Sequence, residues 1–159
     1  YFQKSNKIAI GVVDGGMGLK ESISKSYKVP DYTEAIKLAL TPGVTGTTSK
    51  PGGTSDNAGF GLFLIKSIAY VNSDYFTIIS GNKMFKLLNR KGELRLRSDP
   101  LKDRHSLYEV VPWQGVAVGV DISLNQTQEF SAIMSMIYKF YSREVRGQKS
   151  KRYKRPKFI

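Results

Sequence analysis

The chain contains no cysteine. A disulfide framework, a thiolate metal site and a thiol nucleophile are therefore excluded, and a cytoplasmic location is expected. Histidine is almost as scarce, with His105 alone in the sequence. Chemistry that needs paired imidazoles is out of reach, and His105 itself follows the polar run Asp99-Pro100-Leu101-Lys102-Asp103-Arg104, which reads as a solvated loop. Long apolar runs are missing too. No stretch approaches the ~20 residues of a membrane span, and the first residues lack the basic-then-apolar order of a signal peptide. There is no internal repeat. Tyr1 stands where an initiator Met would be, so the chain reads as a piece of a longer protein.

Acidic residues are also few, and the formal net charge is +12. Eight of the cations, against one Glu, lie between Arg143 and Ile159. More than half of the net charge therefore belongs to residues 143–159. That segment reads as a basic tail able to meet nucleic acid or acidic partners.

The apolar residues that remain, 40% of the chain, are enough for one packed domain. Residues 7–13 read as a buried strand, Lys-Ile-Ala-Ile-Gly-Val-Val. Asp31 and Glu34 form a capping-box pattern before a helix that Pro42 ends. Residues 41–57 are nearly all Gly, Pro, Ser and Thr, a composition expected to stay mobile as a lid. A helix follows to Val71, with Leu62, Ile65, Ile68 and Ala69 as its buried stripe. Strands are expected at 75–80, 84–88 and 93–97, turning at Gly81-Asn82 and at Arg90-Lys91-Gly92. Residues 115–122 alternate as a last strand. Asn125 and Gln128 are candidate caps for a final helix with the stripe Phe130, Ile133, Met134, Ile137, Tyr138 and Tyr141. That stripe is expected in the core or against a partner, including a second copy. The order of elements does not alternate strand and helix, so a doubly wound sheet is not expected. It indicates an α+β, two-layer α/β sandwich, mostly antiparallel, with helices on one face.

Two glycine motifs carry the chemistry. Asp14-Gly15-Gly16-Met17-Gly18 closes the first strand, and Asn57-Ala58-Gly59-Phe60-Gly61-Leu62 opens the second helix. The first delivers a carboxylate and bare backbone to one spot. The second delivers the free amides of a helix N-terminus, which suit phosphate. Read as structure alone, the same residues would be a turn after a strand and a close helix contact.

With their lid-like spacer and following strands, these residues resemble the histidine-kinase-like ATPase (Bergerat) fold of sensor kinases, the DNA gyrase B subunit, MutL-type repair proteins, heat-shock chaperones and anti-sigma kinases. The first motif is similar to that family's Asp-x-Gly-x-Gly box. The second is similar to its Gly-x-Gly-Leu-Gly-Leu run, with Asn57 where a glycine is common. Residues 35–46 also resemble a bacterial subgroup of ATP-binding proteins of this type. The likeness covers residues 7–122, the ATP-binding domain. Residues 123–142 would be a C-terminal helix and 143–159 the basic tail.

The resemblance implies that Asp14 binds the adenine amino group. Gly16 and Gly18 would let the backbone approach base and lid. Gly59, Gly61 and Leu62 would present amides to the phosphates, and Thr77 would add a hydroxyl to the adenine site. The family also carries an Asn-bearing helix before the first box that binds Mg²⁺. Too few residues precede Ile8 to form it, so Mg²⁺ would be held through a segment not in this chain, and turnover by this chain alone is expected to be weak or nil. The function implied is ATP or ADP binding, with lid closure acting on a partner protein or supporting ATP hydrolysis or protein phosphorylation. The alternative is a nucleic-acid-binding module working through residues 143–159. No metal ligand and no catalytic residue is singled out within the chain.

Overall fold

The computed structural model describes residues 3–55, 57–124 and 129–153. The candidate caps Asn125 and Gln128, and the tail beyond Tyr153, lie outside them. Among the described residues three strands form one antiparallel sheet, β1 (Lys7–Asp14), β2 (Phe76–Leu87) and β3 (His105–Ser123), in the order β1-β3-β2. The helices are α1 (Leu19–Ser24), α2 (Tyr32–Ala39), α3 (Gly61–Val71) and α4 (Phe130–Arg152). The α+β two-layer architecture expected from the sequence is what the chain adopts.

Local chemistry explains the boundaries. The Asp31 carboxylate accepts the Glu34 amide at 2.8 Å, so the capping pattern does start α2. The helix stops at Ala39, ahead of Pro42, whose ring cannot continue it.

Register fixes the faces. Val12 stands opposite Val118 and Ile10 opposite Val120, while Phe76 and Ile78 meet the same two β3 residues from the other side. Side chains alternate along a strand, so Ile10, Val12, Val118, Val120, Phe76 and Ile78 share one face. The main core forms there: Phe76 and Ile78 lie under Ala35, Ile36, Leu40 and Ala69 from α2 and α3. The helices cover β2 and reach only part of β3. β1 is therefore not the buried strand its composition suggests; Ile10 is 46% and Val12 66% exposed. The stripe expected on α3 is corrected for the same reason. Ala69 is buried as expected and Leu62 and Ile68 are half-buried, but Ile65 is exposed at the uncovered side, and the helix also buries Phe63, Lys66, Ser67 and Tyr70.

The two strands expected at 75–80 and 84–88 are one. β2 runs through Gly81, where the Tyr32 ring packs so closely that a Cβ would lie 2.2 Å from it. The glycine makes room for a ring and does not make a hairpin turn. β3 is correspondingly long, bulging between its pairs at Glu109, Trp113 and Ala117. His105 is not in a solvated loop. It opens β3, half-buried, with its ring stacked 5.3 Å from Phe85 and Nδ1 at 2.9 Å from the Asp103 carbonyl. Residues 93–97 form no strand, because no neighbouring strand pairs with them.

A second core joins α3 to α4 through Phe63, Val71, Ile133 and Ile137. Between the cores lies a buried ion pair, Lys66 Nζ to Asp103 Oδ2 at 2.8 Å, with both side chains at most 1% exposed. Asp103 Oδ1 has no partner. Two charges taken out of water hold each other, and removing one strands the other. Lys66→Met is expected to lower the unfolding free energy in urea by about 3–5 kcal/mol, and Lys66→Met/Asp103→Leu to recover most of that loss. A single variant as stable as the parent would contradict this account of the pair.

Candidate functional site

The first glycine motif sits where the end of β1 meets the bend in β3. Asp14 is exposed and stands opposite Val116. Its Oδ1 accepts the Gly16 amide at 2.8 Å, which folds the loop back on the strand end. Oδ2 takes no hydrogen bond among the described residues, which leaves this exposed carboxylate an unused acceptor. The loop exit is fastened from below: buried Ser80 accepts the Leu19 amide at 2.9 Å and donates to the Gly115 carbonyl at 3.0 Å. Gly18 and Met17 line a cleft of about 450 Å³ with Tyr32 and Trp113.

The second motif opens α3. Its N-cap is Phe60, whose side chain accepts no hydrogen bond from the helix. The first intrahelical bond formed there is from the Leu64 amide to the Phe60 carbonyl at 2.8 Å. The amides of Gly61, Leu62 and Phe63 therefore stand outside the helix's own ladder, at its positive end. The two glycines differ in cause. Gly59 has φ +66°, and a Cβ there would lie 2.3 Å from the Val44 carbonyl oxygen, so the fold itself requires it. Gly61 is exposed in an ordinary helical conformation, and a Cβ on it would meet nothing within 4 Å. Nothing in the described molecule asks for glycine there.

The two motifs come to the same end of the sheet. α3 leads into β2 through residues 72–75, and the Tyr75 carbonyl accepts the Asp121 amide at 3.0 Å. The C-terminus of α3 is thus at the Ile122 end of β3, and its N-terminus lies over the opposite end, where β1 finishes. Leu62 and Val12 line one aliphatic groove of about 390 Å³, with Ile65, Val118 and Val120. Asp14 is two residues beyond Val12, hence on the same face. Leu19, directly after Gly18, lines a further cavity of about 260 Å³ with Gly59 and Gly61. Asp14 and Gly16 line neither hollow.

Thr77 is not brought to this face. It alternates with Phe76 and Ile78 and pairs with Gly119, so it belongs to the face away from the helices. Ser80 is the hydroxyl the fold places beside the first motif. Its signal was a small polar residue at an inward position of an otherwise apolar strand.

The Gly/Pro/Ser/Thr segment is fastened rather than loose. Pro42, Gly43 and Thr45 are buried. The Gly43 amide donates to Gly59 at 3.1 Å and the Gly52 amide to Gly43 at 3.0 Å. α4 holds the segment from outside: Tyr141 donates to the Ala58 carbonyl at 2.6 Å, Gln148 to the Pro42 carbonyl at 3.0 Å, and Arg152 to Ser49. Burial, with Tyr138 nearby, pushes the Tyr141 phenol above its ordinary range, so it stays a donor. Composition alone missed this because the anchoring groups come from another helix, about a hundred residues away.

No protein-family model matches the chain, and no curated protein matches it.

Gly61→Ala is expected to leave the melting temperature unchanged, or to raise stability by up to about 1 kcal/mol, as alanine does in a helix. Gly59→Ala is expected to cost more than about 1 kcal/mol, because it adds a side chain at positive φ against a carbonyl. Equal losses in thermal melting would mean that packing, not an external ligand, explains both glycines.

Proposed function

We propose that the chain is the nucleotide-binding module of a histidine-kinase-like ATPase, taking ATP or ADP between Asp14 and the first turn of α3. The observation that carries the reading is the pair of unused polar groups at one end of the sheet. One is a carboxylate with an open oxygen. The other is an uncapped helix start with a glycine that the fold does not need. The Asp14 acceptor suits the exocyclic amine of adenine. The amides of Gly61 and Leu62, and the space left by the absent Gly61 side chain, suit a phosphate chain held at a helix N-terminus. Gly16 and Gly18 shape the loop that carries the carboxylate, and Gly59 shapes the approach to the helix.

Bound nucleotide supplies a flexible triphosphate charge, and the chain's part is to bind and orient it. Residues 41–57 join Gly59 on one side and α4 on the other. Movement of phosphates at α3 would thus reach α4 through the Gly43 and Ala58 contacts. That linkage supports a module that changes its contact with a partner protein or a second copy when nucleotide binds. Mg²⁺ does not fit the residues present: among the described residues no group of three or more His, Asp or Glu gathers to hold an ion. Hydrolysis or phosphoryl transfer therefore needs a metal-holding segment from elsewhere, and no such step is assigned to this chain. Among the described residues, no helix is long and apolar enough to cross a membrane. The reading places the protein in the cytoplasm, where ATP is abundant.

ADP or ATP at 100 times its Kd would stabilise the fold by about 2.7 kcal/mol, which a melting curve detects readily. Asp14→Asn is expected to remove the shift. Oδ1 is already used by the Gly16 amide, so the substitution puts an NH₂ donor where the adenine donor must be received. Gly61→Ala is expected to remove it as well while leaving the unliganded melt intact. An unchanged melt of the parent chain with saturating nucleotide, or a full shift in Asp14→Asn, would sink the assignment.

A further inference from the structure

A second large hollow, lined by none of the glycine-motif residues, lies between α4 and residues 94–102. Two cavities of about 870 and 670 Å³ share Arg95, Leu96, Phe140 and Arg143 and run into one trench. We infer that this trench receives an extended, acidic stretch of polypeptide that pairs with residues 93–97 as an added strand.

Three observations carry the inference. First, residues 93–98 alternate strictly between exposed and half-buried, the period of a strand, with Leu94 and Leu96 turned to the core. Yet no backbone amide or carbonyl of residues 93–97 makes a hydrogen bond among the described residues, and no strand lies beside them. A chain with strand alternation and an empty edge is the template for strand addition.

Second, the walls are cationic. Arg95, Arg97 and Lys102 line one side, and Lys139 and Arg143 the other. Arg95, Lys102 and Lys139 have no carboxylate partner among the described residues. The two carboxylates of the trench are engaged locally: Asp99 caps the Leu101 amide at 3.0 Å, and Glu144 takes the Ser98 hydroxyl. The excess positive charge asks for an acidic occupant.

Third, the floor selects against nucleobases. Phe140 is the trench's aromatic ring; it stacks on Phe63 at 5.9 Å and lies under the Arg143 guanidinium at 5.1 Å. The ring is already engaged by Phe63 and Arg143, which disfavours the base stacking that single-stranded nucleic acid uses. The remaining floor, Leu96 and Met136, suits aliphatic side chains on alternate positions of a strand.

The test is fluorescence anisotropy at low salt, using the purified chain and a labelled octapeptide alternating glutamate with valine. Saturable binding is expected. Arg95→Glu/Lys139→Glu should weaken it about tenfold or more, as loss of two wall cations predicts, without changing the melting temperature. N-methylation of alternate peptide amides should weaken it as well, since it removes the added-strand bonds. Gly61→Ala should leave it unchanged, which separates this site from the nucleotide reading. Absent binding, or binding indifferent to both changes, overturns the inference. So does a labelled oligothymidylate that outcompetes the peptide and loses affinity in the charge-reversed variant, since the trench would then belong to single-stranded nucleic acid.

Discussion

The register of β1 on β3 is the constraint that everything else in the molecule hangs from. Lys7 to Asp14 pair without interruption with Ser123 to Val116. Because side chains alternate, a slip of one residue would send Asp14 to the face without helices. Two groups lock this pairing. Asp74 is buried and binds both strands, taking Lys7 Nζ at 2.9 Å and the Ser123 amide at 2.9 Å. At the other end Ser80 ties the loop after Asp14 to β3. The carboxylate is thus held on the helical face from both ends of its strand, while its own side chain stays exposed.

The uncovered groove follows from the same geometry. α2 and α3 lie over β2, and no described helix lies over β1. Ile10, Val12, Ile65 and their neighbours form a wholly aliphatic hollow beside the proposed nucleotide site. If a metal-holding segment joins the site, this is the face on which it can pack, since it already reaches both Val12 and Leu62.

Much of this was legible in the sequence. The antiparallel two-layer class followed from strand order. The Asp31 cap, and the placing of Asp14 and Gly61 at a strand end and a helix start, followed from local chemistry. What failed depended on partners distant in sequence. Gly81 looked like a turn because nothing nearby announced that Tyr32 would pack over it. Residues 41–57 looked loose because their anchors, Tyr141, Gln148 and Arg152, lie on α4. Residues from Arg143 on looked like a tail after the helix because their charge hid their period, and α4 in fact continues to Arg152 with Val145 buried against Gly43. Residues 93–97 have a strand's alternation and no strand beside them, a mismatch that sequence alone cannot register. Thr77 was one residue out of phase with the face it was expected to serve.

The proposed purine nucleotide would touch both Asp14's loop and the start of α3 at once. A two-dimensional amide NMR titration with ADP tests it most directly. The amides of Gly16, Gly61 and Leu62 should shift together in a single saturable process, while those of residues 94–102 stay still. Movement confined to the cationic trench and the outer face of α4 would show ADP acting as a mere polyanion, and would contradict a shared site for Asp14 and the start of α3.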